Sequence, residues 1–443
     1  MVSVWKDTLK KETGSPFVCE CGELTGRHKT DVLIIGGGMA GVLCAYTLGQ
    51  AGLDCILVEA DRVANRITGN TTAKITSQHG LIYHKIEKQY GREAAALYYR
   101  ANEGAIGRYA KLCGDINCDF ERKDSFVYSV NDREKLEREF RTLQSIGADA
   151  RPVNETELPF SVAGAIRFSN QAQFHPLKFL RAIVSQCNVY ERTKVLELLP
   201  GMAITEHGTV EAEHIIVTTH FPFLNKHGSY FLKLYQHRSY VIAYQNVGIP
   251  DGMYVDEAKT GFSFRGYRDY LLLGGGGHRT GKQGGGWDEI TQFAGAHFPG
   301  AKEKYRYATQ DCMSLDHIPY IGPYSRKTKG LYVATGFNKW GMTSSMVAAD
   351  VLCDLITGKG SVYAELFSPS RRMLHPQLFL NAAEATRNLL CPTGKRCPHL
   401  GCALKWNPEE HSWDCPCHGS RFTKEGEIID NPATGNCRWK HNR

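Results

Sequence analysis

The sequence predicts an α/β fold with a parallel sheet near the N-terminus and a small all-β domain at the C-terminus. Two observations support this fold class. Between residues 31 and 59 a buried strand, a glycine-rich turn, a helix and a second buried strand follow one another, which is the order of a βαβ unit. Between residues 397 and 420 four cysteines stand in two short motifs that each contain a histidine, a pattern typical of a metal centre.

The bulk composition is that of an ordinary globular protein. The chain has 443 residues, 42% apolar and 22% charged, which is enough for two or three domains. Its formal charge of +7 is spread along the chain without a long basic run, so the sequence argues against nucleic-acid binding. No apolar run approaches the roughly 18 residues of a membrane helix, and no apolar leader is present, so neither a membrane span nor secretion is predicted.

The cysteine content bears on the compartment. Fifteen cysteines in a long chain without a leader are typical of reduced thiols and a metal centre rather than of a disulfide framework. The sequence therefore predicts a cytoplasmic protein.

The βαβ unit carries a complete dinucleotide fingerprint. The apolar run Val32–Ile35 is expected to be a buried parallel strand. Gly36 is expected to make the tight turn, Gly38 to let the backbone approach a pyrophosphate, and Gly41 to let helix and strand pack closely. Glu59 directly follows the second predicted strand, Cys55–Val58, and is placed to bind an adenosine ribose hydroxyl.

Three further features favour FAD over NAD. The loop from Thr68 to Lys74 is rich in small and hydroxyl residues. The later element Asp316-His-Ile-Pro-Tyr-Ile-Gly322 leads through a strand at Leu331–Thr335 into a second glycine-rich turn and an apolar helix. In these features the chain resembles the D-amino-acid oxidase/glycine oxidase superfamily. The resemblance implies FAD, because an NAD enzyme does not need the second element.

The same resemblance implies how the chain is divided. FAD is expected to be held by parts at about 31–80, 190–225 and 310–360 of an oxidoreductase unit spanning 31–367, with an inserted α+β substrate domain between them. Residues 1–30 are expected to form an N-terminal extension. Besides the three motif glycines and Glu59, the residues implied to lie at the cofactor are Thr71, Thr72, Ala73, Val195, Gly336, Gly341 and Met342.

Substrate contacts are expected from a sheet that covers the cofactor. Its predicted strands include Tyr235–Gln245 and Gly261–Gly274, and the glycines at 274–277 are interpreted as a mobile loop. Relatives that oxidise amino acids often hold the carboxylate with an arginine from this sheet, because a guanidinium pairs with a carboxylate through two hydrogen bonds. Arg265 is the first candidate, with a surface arginine as the alternative, and Tyr240 is a second candidate.

Two residues near the second glycine-rich turn are candidates for contact with the flavin. Lys339 is placed to stabilise negative charge near the flavin N1 and C2 atoms, and a solvent-facing lysine is the alternative. Cys312 precedes the Asp316 element, close to where some sarcosine oxidases attach flavin covalently, but its spacing to the acid differs.

The C-terminal motifs predict a metal centre. Cys397 and His399 form a C-x-H pair, and Cys415 and His418 form a C-x-x-H pair. Two thiolates and two imidazoles in this layout resemble the ligand set of a Rieske [2Fe–2S] cluster, in which the cysteines bind one iron and the histidines the other. Structural zinc is the alternative, although zinc fingers usually space their ligands differently.

Other residues of the two motifs extend the resemblance. In the Rieske proteins of respiratory and photosynthetic complexes a disulfide joins the two loops, which implies a Cys402–Cys417 bond here. Ser420 matches the serine that donates a hydrogen bond to a cluster sulfur. Phe422 stands where high-potential members have a tyrosine, which implies a lower reduction potential.

The cluster domain is expected to be reduced in size. It is assigned to residues 391–443, after a linker at 368–390, and leaves almost no room for strands ahead of the first motif. A domain of this length has too small a core to be stable alone. It is therefore expected to depend on its metal, on the implied disulfide and on docking to the flavoprotein.

Together the two resemblances imply an FAD-dependent oxidoreductase. It is expected to take a hydride from a carbon next to the nitrogen of a small amine or amino-acid-like substrate. Electrons are then expected to pass through the cluster to an external acceptor that the sequence does not identify. Two alternatives remain: an oxygen-using amine oxidase with a structural or regulatory cluster, and a flavin/iron–sulfur redox sensor or electron-transfer protein.

Overall fold

The computed structural model describes residues 2–17, 19, 21–224, 227–258 and 261–438. The helices, in chain order, are α1 Val4–Thr13, α2 Met39–Gln50, α3 Tyr83–Tyr90, α4 Arg92–Cys113, α5 Arg133–Ser145, α6 Pro176–Val184, α7 Tyr230–Lys233, α8 Gly286–His297, α9 Gly341–Ile356, α10 Ala364–Phe367 and α11 Pro376–Leu390, with a 3₁₀ turn at Thr68–Asn70.

The strands are β1 Gly26–Ile35, β2 Cys55–Val58, β3 Lys74–Ile75, β4 Glu121–Ser129, β5 Ala150–Val153, β6 Gly164–Gln173, β7 Val189–Tyr190, β8 Val195–Leu199, β9 Met202–Thr205, β10 Gly208–Val217, β11 Tyr235–Gln245, β12 Met253–Asp256, β13 Ser263–Tyr267, β14 Tyr270–Arg279, β15 Lys302–Met313, β16 Tyr320–Pro323, β17 Leu331–Thr335, β18 Lys405–Asn407, β19 Ser412–Asp414, β20 Arg421–Phe422 and β21 Ile428–Asp430.

The first sheet is built around the predicted βαβ unit. Its strand order is β16-β17-β10-β1-β2-β7, with the hairpin β8–β9 attached to β10. Strands β17, β10, β1, β2 and β7 are parallel. Helices α2 and α9 are apolar and almost fully buried against this sheet. Because the strands run parallel, the turns that follow β1, β10 and β17 meet at one edge, where nucleotides bind in such sheets.

The second sheet has the order β15-β11-β14-β13-β12-β4-β6-β3, with β5 on β6. One face packs in the same core as the first sheet, and the other face packs under α8. The predicted strand at 261–274 is in fact a hairpin of β13 and β14. The glycines at 274–277, expected to form a mobile loop, lie inside β14; Gly274 and Gly275 are paired in the sheet, and Gly276 and Gly277 lie at a shift in the register with β11.

The third sheet forms the small C-terminal domain. Four short antiparallel strands follow the order β18-β19-β20-β21, and five cysteines contribute to the core of this domain. Helix α11 closes the domain, because Ala385 packs against this core and the carbonyl of Asn388 accepts a 3.0 Å hydrogen bond from the Ala403 amide. The predicted linker is therefore largely a helix that packs on the cluster domain. The predicted fold class is confirmed in all three parts.

Among the described residues, every helix is too short or too polar to cross a membrane.

Candidate functional site

The glycine-rich turn after β1 is shaped to approach a ligand closely. Gly36 has a φ of +111°, and a Cβ there would lie 2.8 Å from the Thr218 carbonyl oxygen. A Cβ on Gly41 would lie 1.9 Å from the Gly36 oxygen, so this position accepts only glycine. Gly38 instead faces open space, where the nearest atom to an added Cβ is the Thr68 Oγ1 at 3.6 Å. This opening lies at the N-terminus of α2, where a pyrophosphate is favoured.

Glu59 lies beside this turn at the end of β2. Its Oε2 accepts a 2.7 Å hydrogen bond from the Gly37 amide, and its Oε1 accepts a 2.9 Å bond from the Asp61 amide. Desolvation raises the pKa of the Glu59 carboxyl, and the two amide donors oppose that shift. The carboxylate is thereby held at the edge of the cavity.

A cavity of about 950 Å³ extends from this turn, a volume within the usual range for small-molecule and cofactor sites. Among the predicted cofactor residues that border it are Gly36, Gly38, Glu59, Thr71, Thr72, Val195, Gly336, Gly341 and Met342. Gly41 and Ala73 do not border it: Gly41 packs behind the turn, and Ala73 is buried with a φ of +52°. The lining and the open space at Gly38 fit FAD.

The second glycine-rich turn is held by Asn338. The Asn338 Oδ1 accepts a 2.8 Å hydrogen bond from the Ser314 backbone amide, and the Asn338 backbone amide donates to the Cys312 carbonyl at 3.0 Å. Asn338 has a φ of +51°, which an asparagine tolerates better than most residues. The turn delivers the N-terminus of α9 to the cavity at Gly341.

His79 is a cavity residue that sequence reasoning missed. Its Nδ1 lies 2.7 Å from the Tyr98 hydroxyl, its Nε2 lies 2.7 Å from the Thr76 carbonyl, and its ring stacks on Trp340 at 4.8 Å. Burial lowers the pKa of His79 to about 3, so the ring is neutral. A single histidine outside any motif gives no sequence signal for such a role.

Arg265 does not face the cavity, contrary to its prediction as a substrate contact. Its Nε donates to the Gln173 Oε1 at 2.9 Å, its Nη2 donates to the Phe174 carbonyl at 2.9 Å, and its Nη1 donates to the Thr72 carbonyl. The guanidinium also lies over the Trp5 ring at 4.9 Å. Because it is fully buried with all three nitrogens bonded to protein, Arg265 does not border the cavity and instead braces the cofactor loop.

The N-terminal extension contributes to the same brace. Helix α1 begins at Val4, and the Trp5 Nε1 donates a 2.6 Å hydrogen bond to the Thr71 carbonyl. Trp5 is completely buried. Helix α1 and Arg265 therefore hold the 68–72 loop through the carbonyls of Thr71 and Thr72. No local sequence motif predicts these contacts.

Tyr240 borders the cavity, but its ring packs with Trp287 in the core under α8, and its hydroxyl lies 3.0 Å from the His278 Nε2. Lys339 also borders the cavity, and its side chain is exposed there. Desolvation lowers the pKa of Lys339, and the charge of Asp311 opposes that shift. Of the three candidates Arg265, Tyr240 and Lys339, the last two border the cavity and Arg265 does not.

Asp311 is a cavity residue that the sequence did not single out. It lies on β15 directly opposite His237 of β11, and its Oδ2 accepts a 3.0 Å hydrogen bond from the Ser239 hydroxyl. All three residues border the cavity. They form the part of the covering sheet that offers a carboxylate to a ligand.

Lys74 and Cys312 also border the cavity. Burial, together with the charge of Arg265, lowers the pKa of Lys74 to about 7. Burial raises the pKa of the Cys312 thiol to about 12, so Cys312 is a protonated free thiol in this structure.

The cluster motifs fold as two matching loops. In the first, the Cys397 amide donates to the Cys402 carbonyl at 2.9 Å, and the Gly401 amide donates to the Cys397 carbonyl at 2.9 Å. The second loop repeats the pattern, with the Cys415 amide donating to the Ser420 carbonyl at 2.8 Å. Each loop carries one predicted ligand cysteine, one predicted ligand histidine and a second buried cysteine.

The four predicted ligands converge between the loops. The thiols of Cys397 and Cys415 are buried and hydrogen bonded to each other, which lowers the pKa of Cys415. The rings of His399 and His418 are 4.9 Å apart. Burial lowers the pKa of His399 to about 4, so its ring is neutral. Within the described part of the chain the buried Nδ1 of His418 has no hydrogen-bond partner, which fits an iron ligand.

Cys402 and Cys417 come together as predicted, but as free thiols. Their Sγ atoms and that of Cys415 all lie within 4.8 Å of one another. The disulfide between them is not formed in this structure and stays a prediction.

The cluster domain is docked on the second sheet by buried charges. The Nε of Arg238 donates to the Glu410 Oε1 at 2.9 Å, and its Nη2 completes a bidentate pair with the same carboxylate. Arg279 donates from Nε to the Pro416 carbonyl at 3.1 Å and from Nη2 to the Cys417 carbonyl at 3.3 Å. Arg238 of β11 therefore binds the turn between β18 and β19, and Arg279 of β14 binds the second cluster loop.

The cavity and the cluster site adjoin at Phe221. Its ring lies 6.3 Å from the ring of His399 and 6.2 Å from that of His418. The Asn431 side chain donates to the carbonyls of Thr219 and Phe221 at 2.6 and 2.9 Å. Residues 428–431, 433 and 434 of the cluster domain also line the cavity, so both domains form its wall.

Comparison with known protein families agrees with this geometry. Residues 31–355 match the family model of the FAD dependent oxidoreductases, which is more than half of the chain. The chain belongs to the FAD-dependent oxidoreductase family. Residues 370–439 match the Rieske [2Fe-2S] domain. This oxidoreductase therefore binds FAD and a [2Fe–2S] cluster, which decides against the structural zinc alternative.

Relatives of the oxidoreductase share both parts or one. It is 33% identical to the putative Rieske 2Fe-2S iron-sulfur protein YhfW of Bacillus subtilis, over 91% of this chain and 92% of that protein. It is 24% identical to the gamma-glutamylputrescine oxidoreductase of Escherichia coli, over 74% and 84% of the two chains. Glycine oxidase from Geobacillus kaustophilus superposes with a TM-score of 0.66 at 18% identity, over 78% of this chain and all of that one, which shows a shared fold.

Proposed function

We propose that this oxidoreductase oxidises a small amine and delivers the electrons through its Rieske domain to an external acceptor. When bound, FAD supplies a hydride acceptor and the [2Fe–2S] cluster supplies a one-electron carrier. The carbon next to the amine nitrogen loses a hydride and the nitrogen a proton, which yields an imine that water hydrolyses.

The observation that carries this proposal is the shared cavity. Its wall combines the glycine-rich turns, the covering strands β11 and β15, and residues 428–434 of the Rieske domain. Phe221 lies against both candidate cluster histidines, and the preceding residues Thr218 to His220 line the cavity. A cofactor held by the turns is thus separated from the cluster site by one short segment, which supports electron transfer between them.

Asp311 supports an amine as the substrate class. A carboxylate in a cavity attracts a substrate ammonium group, and the Ser239 hydroxyl orients it. The arginine expected to clamp a substrate carboxylate, Arg265, is buried against Gln173 and Phe174 and does not border the cavity. Arg279 also borders the cavity, but its guanidinium is hydrogen bonded to the Pro416 carbonyl and the Asn381 side chain.

Lys74 supports a role in removing the ammonium proton. Hydride loss requires the neutral amine, and a base is most effective when its pKa lies near the working pH. Lys74 borders the cavity, and burial lowers its pKa to about 7. Its neutral form accepts a proton that the substrate gives up on binding beside Asp311.

The test is anaerobic reduction of the purified holoenzyme by a panel of amines and amino acids, followed optically for flavin and by EPR for the cluster. We expect amines without a carboxylate to bleach the flavin and then to generate the EPR signal of the reduced cluster. Asp311→Asn should weaken amine binding by about tenfold or more, whereas Thr309→Ser on the same strand serves as a matched control.

Two outcomes would contradict the proposal. Stoichiometric hydrogen peroxide that is unchanged when His399→Ala removes the cluster would identify an oxygen-using oxidase. Flavin that stays oxidised with every amine and amino acid would favour a redox sensor or electron-transfer protein.

A further inference from the structure

The cluster site has one side against the flavoprotein and one side open to solvent. His418 is buried, and the rings of Phe221 and Phe231 lie 6.2 and 6.4 Å from its ring. On the other side, Pro398 and Leu400 flank His399 and are exposed, and His399 itself is half-buried. A carrier that exchanges electrons with the cluster therefore has access at the first loop.

Exposed leucines surround that open side. Leu390 is 78% exposed, Leu389 is 46% exposed and Leu400 is 39% exposed. They belong to one surface, because the exposed Arg396 donates from Nη1 to the carbonyls of both Leu389 and Gly401, at 3.1 and 2.8 Å. We name Leu389, Leu390 and Leu400 the leucine patch. Contiguous exposed apolar surface of this kind marks interaction sites.

The rim of the leucine patch is basic. Residues 385–408 contain four lysines and arginines and no aspartate or glutamate. Arg387, Lys405 and Arg396 are all exposed, and Lys405 reaches to 3.8 Å from the Cys391 sulfur at the end of α11. The nearest preceding acid, Glu384, is already paired with Lys282 at 2.6 Å. Three exposed cations, Arg387, Arg396 and Lys405, therefore lie in the segment that carries the patch.

We propose that the leucine patch and its basic rim are the docking surface for a small acidic electron-carrier protein. This inference rests on the proposed export of electrons and specifies the partner. An apolar centre with a charged rim is the usual anatomy of a protein interface, and opposite charge on the partner accelerates encounter. In the transfer step the reduced cluster gives up one electron, and the redox centre of the carrier gains it.

The test uses two c-type cytochromes of similar potential, one acidic and one basic, as probes. The holoenzyme is reduced chemically without substrate, excess reductant is removed, and the protein is mixed with ferric cytochrome in a stopped-flow instrument. Haem absorbance reports the ferrous product, and rapid-freeze EPR reports reoxidation of the cluster. At low ionic strength we expect the acidic cytochrome to react at least about tenfold faster, with the advantage lost as salt is added.

Three variants locate the effect. Arg387→Glu combined with Lys405→Glu should abolish the preference for the acidic cytochrome. Leu390→Ser should slow the reaction with the acidic cytochrome severalfold while leaving its salt dependence intact. The control, Lys302→Glu combined with Lys304→Glu, makes the same charge change at exposed positions on β15 and should behave as the wild type.

Equal or faster reaction with the basic cytochrome, or the same loss of preference in the control variant, would overturn the proposal. So would binding to phosphatidylglycerol vesicles that is lost in Leu390→Ser and accompanied by no cytochrome preference, because the patch would then face a membrane. Because the holoenzyme is reduced chemically and no amine is used, this experiment tests the docking surface even if the proposed amine oxidation is wrong.

Discussion

The ion pair between Arg238 and Glu410 is predicted to hold the Rieske domain on the second sheet, and Glu410→Gln tests this. The two side chains are 3% and 10% exposed, and two nitrogens of Arg238 meet the carboxylate. Arg421 also contacts Glu410 at 2.9 Å, but it keeps Asp414 as a partner at 3.0 Å. The substitution therefore leaves Arg238 as the buried charge without a counterion.

Breaking a buried ion pair from one side costs about 3–5 kcal/mol. Since about 1.4 kcal/mol is tenfold in an equilibrium constant, Glu410→Gln should shift the balance between docked and undocked domain by roughly a hundredfold or more. Burial acts to raise the pKa of Glu410, but the charges of Arg238 and Arg421 outweigh it, so the pKa is lowered. The pair is thus fully formed above the ordinary glutamate pKa and is lost as pH falls through the lowered value in the folded protein.

Hydrogen exchange measured by mass spectrometry is the assay. In Glu410→Gln we expect faster exchange in β11 and in both cluster loops, together with loss of iron during gel filtration, while flavin-domain helices such as α4 keep their protection. Glu425→Gln, at an exposed position of the same domain, is the matched control. Unchanged exchange in β11 and the loops, with iron retained, would refute the reasoning.

Three other substitutions follow from the site. Gly41→Ala should abolish FAD retention, because the added Cβ would lie 1.9 Å from the Gly36 oxygen. Gly49→Ala is the control in the same helix and should retain FAD, because a Cβ there meets open space. Flavin absorbance after desalting measures the retention of FAD in both variants. Asp316→Asn should lower stability by about 3 kcal/mol, since the carboxylate is buried against an arginine at 2.7 Å. In the wild type, the stability that this ion pair contributes should be lost as the pH falls from the ordinary aspartate pKa to about 2, the pKa of Asp316 in the folded protein. Thermal melts across this pH range should show the loss in the wild type and not in the variant. Flavin reduction by an amine should rise with pH through about 7 as Lys74 loses its proton, and Lys74→Met should remove that rise in stopped-flow traces.

Local patterns predicted several elements to the residue. The strands Cys55–Val58, Tyr235–Gln245 and Leu331–Thr335 were expected with the bounds that the structure has. Leu331–Thr335 is an apolar run between Gly330 and Gly336, so the sequence itself marks both of its ends. The glycine turns and the cysteine–histidine loops were readable for the same reason, because their function requires fixed residues at short spacing.

The glycines of β14 show where a local pattern misleads. A run of glycines is normally interpreted as a flexible loop, but here a Cβ on Gly274 would lie 2.7 Å from the Ser263 Oγ, and one on Gly275 would lie 2.6 Å from Phe262. The glycines permit close packing across a sheet rather than motion. That requirement comes from neighbouring strands and cannot be read from the run itself.

The substrate side of the site was the least predictable part. The second sheet is covered on both faces, so its strands have no alternation of polar and apolar residues to show which side chains reach the cavity. Arg265 was expected to reach the cavity and does not, whereas Asp311 does. The docking of the Rieske domain depends on Arg238 and Glu410, which are 172 residues apart, a distance beyond any local signal.

The shared wall of the cavity has a consequence for how the protein matures. Residues 428–434 follow both cluster loops in the chain, and they close a chamber whose other walls are made by earlier parts. Asn431 fastens this segment to the carbonyls of Thr219 and Phe221. Because the cluster domain is small, we expect it to hold this segment in place only after its iron centre is assembled. Iron insertion would then complete the wall of the cavity around the flavin. We expect protein expressed under iron limitation to exchange its FAD more readily than protein with an assembled cluster.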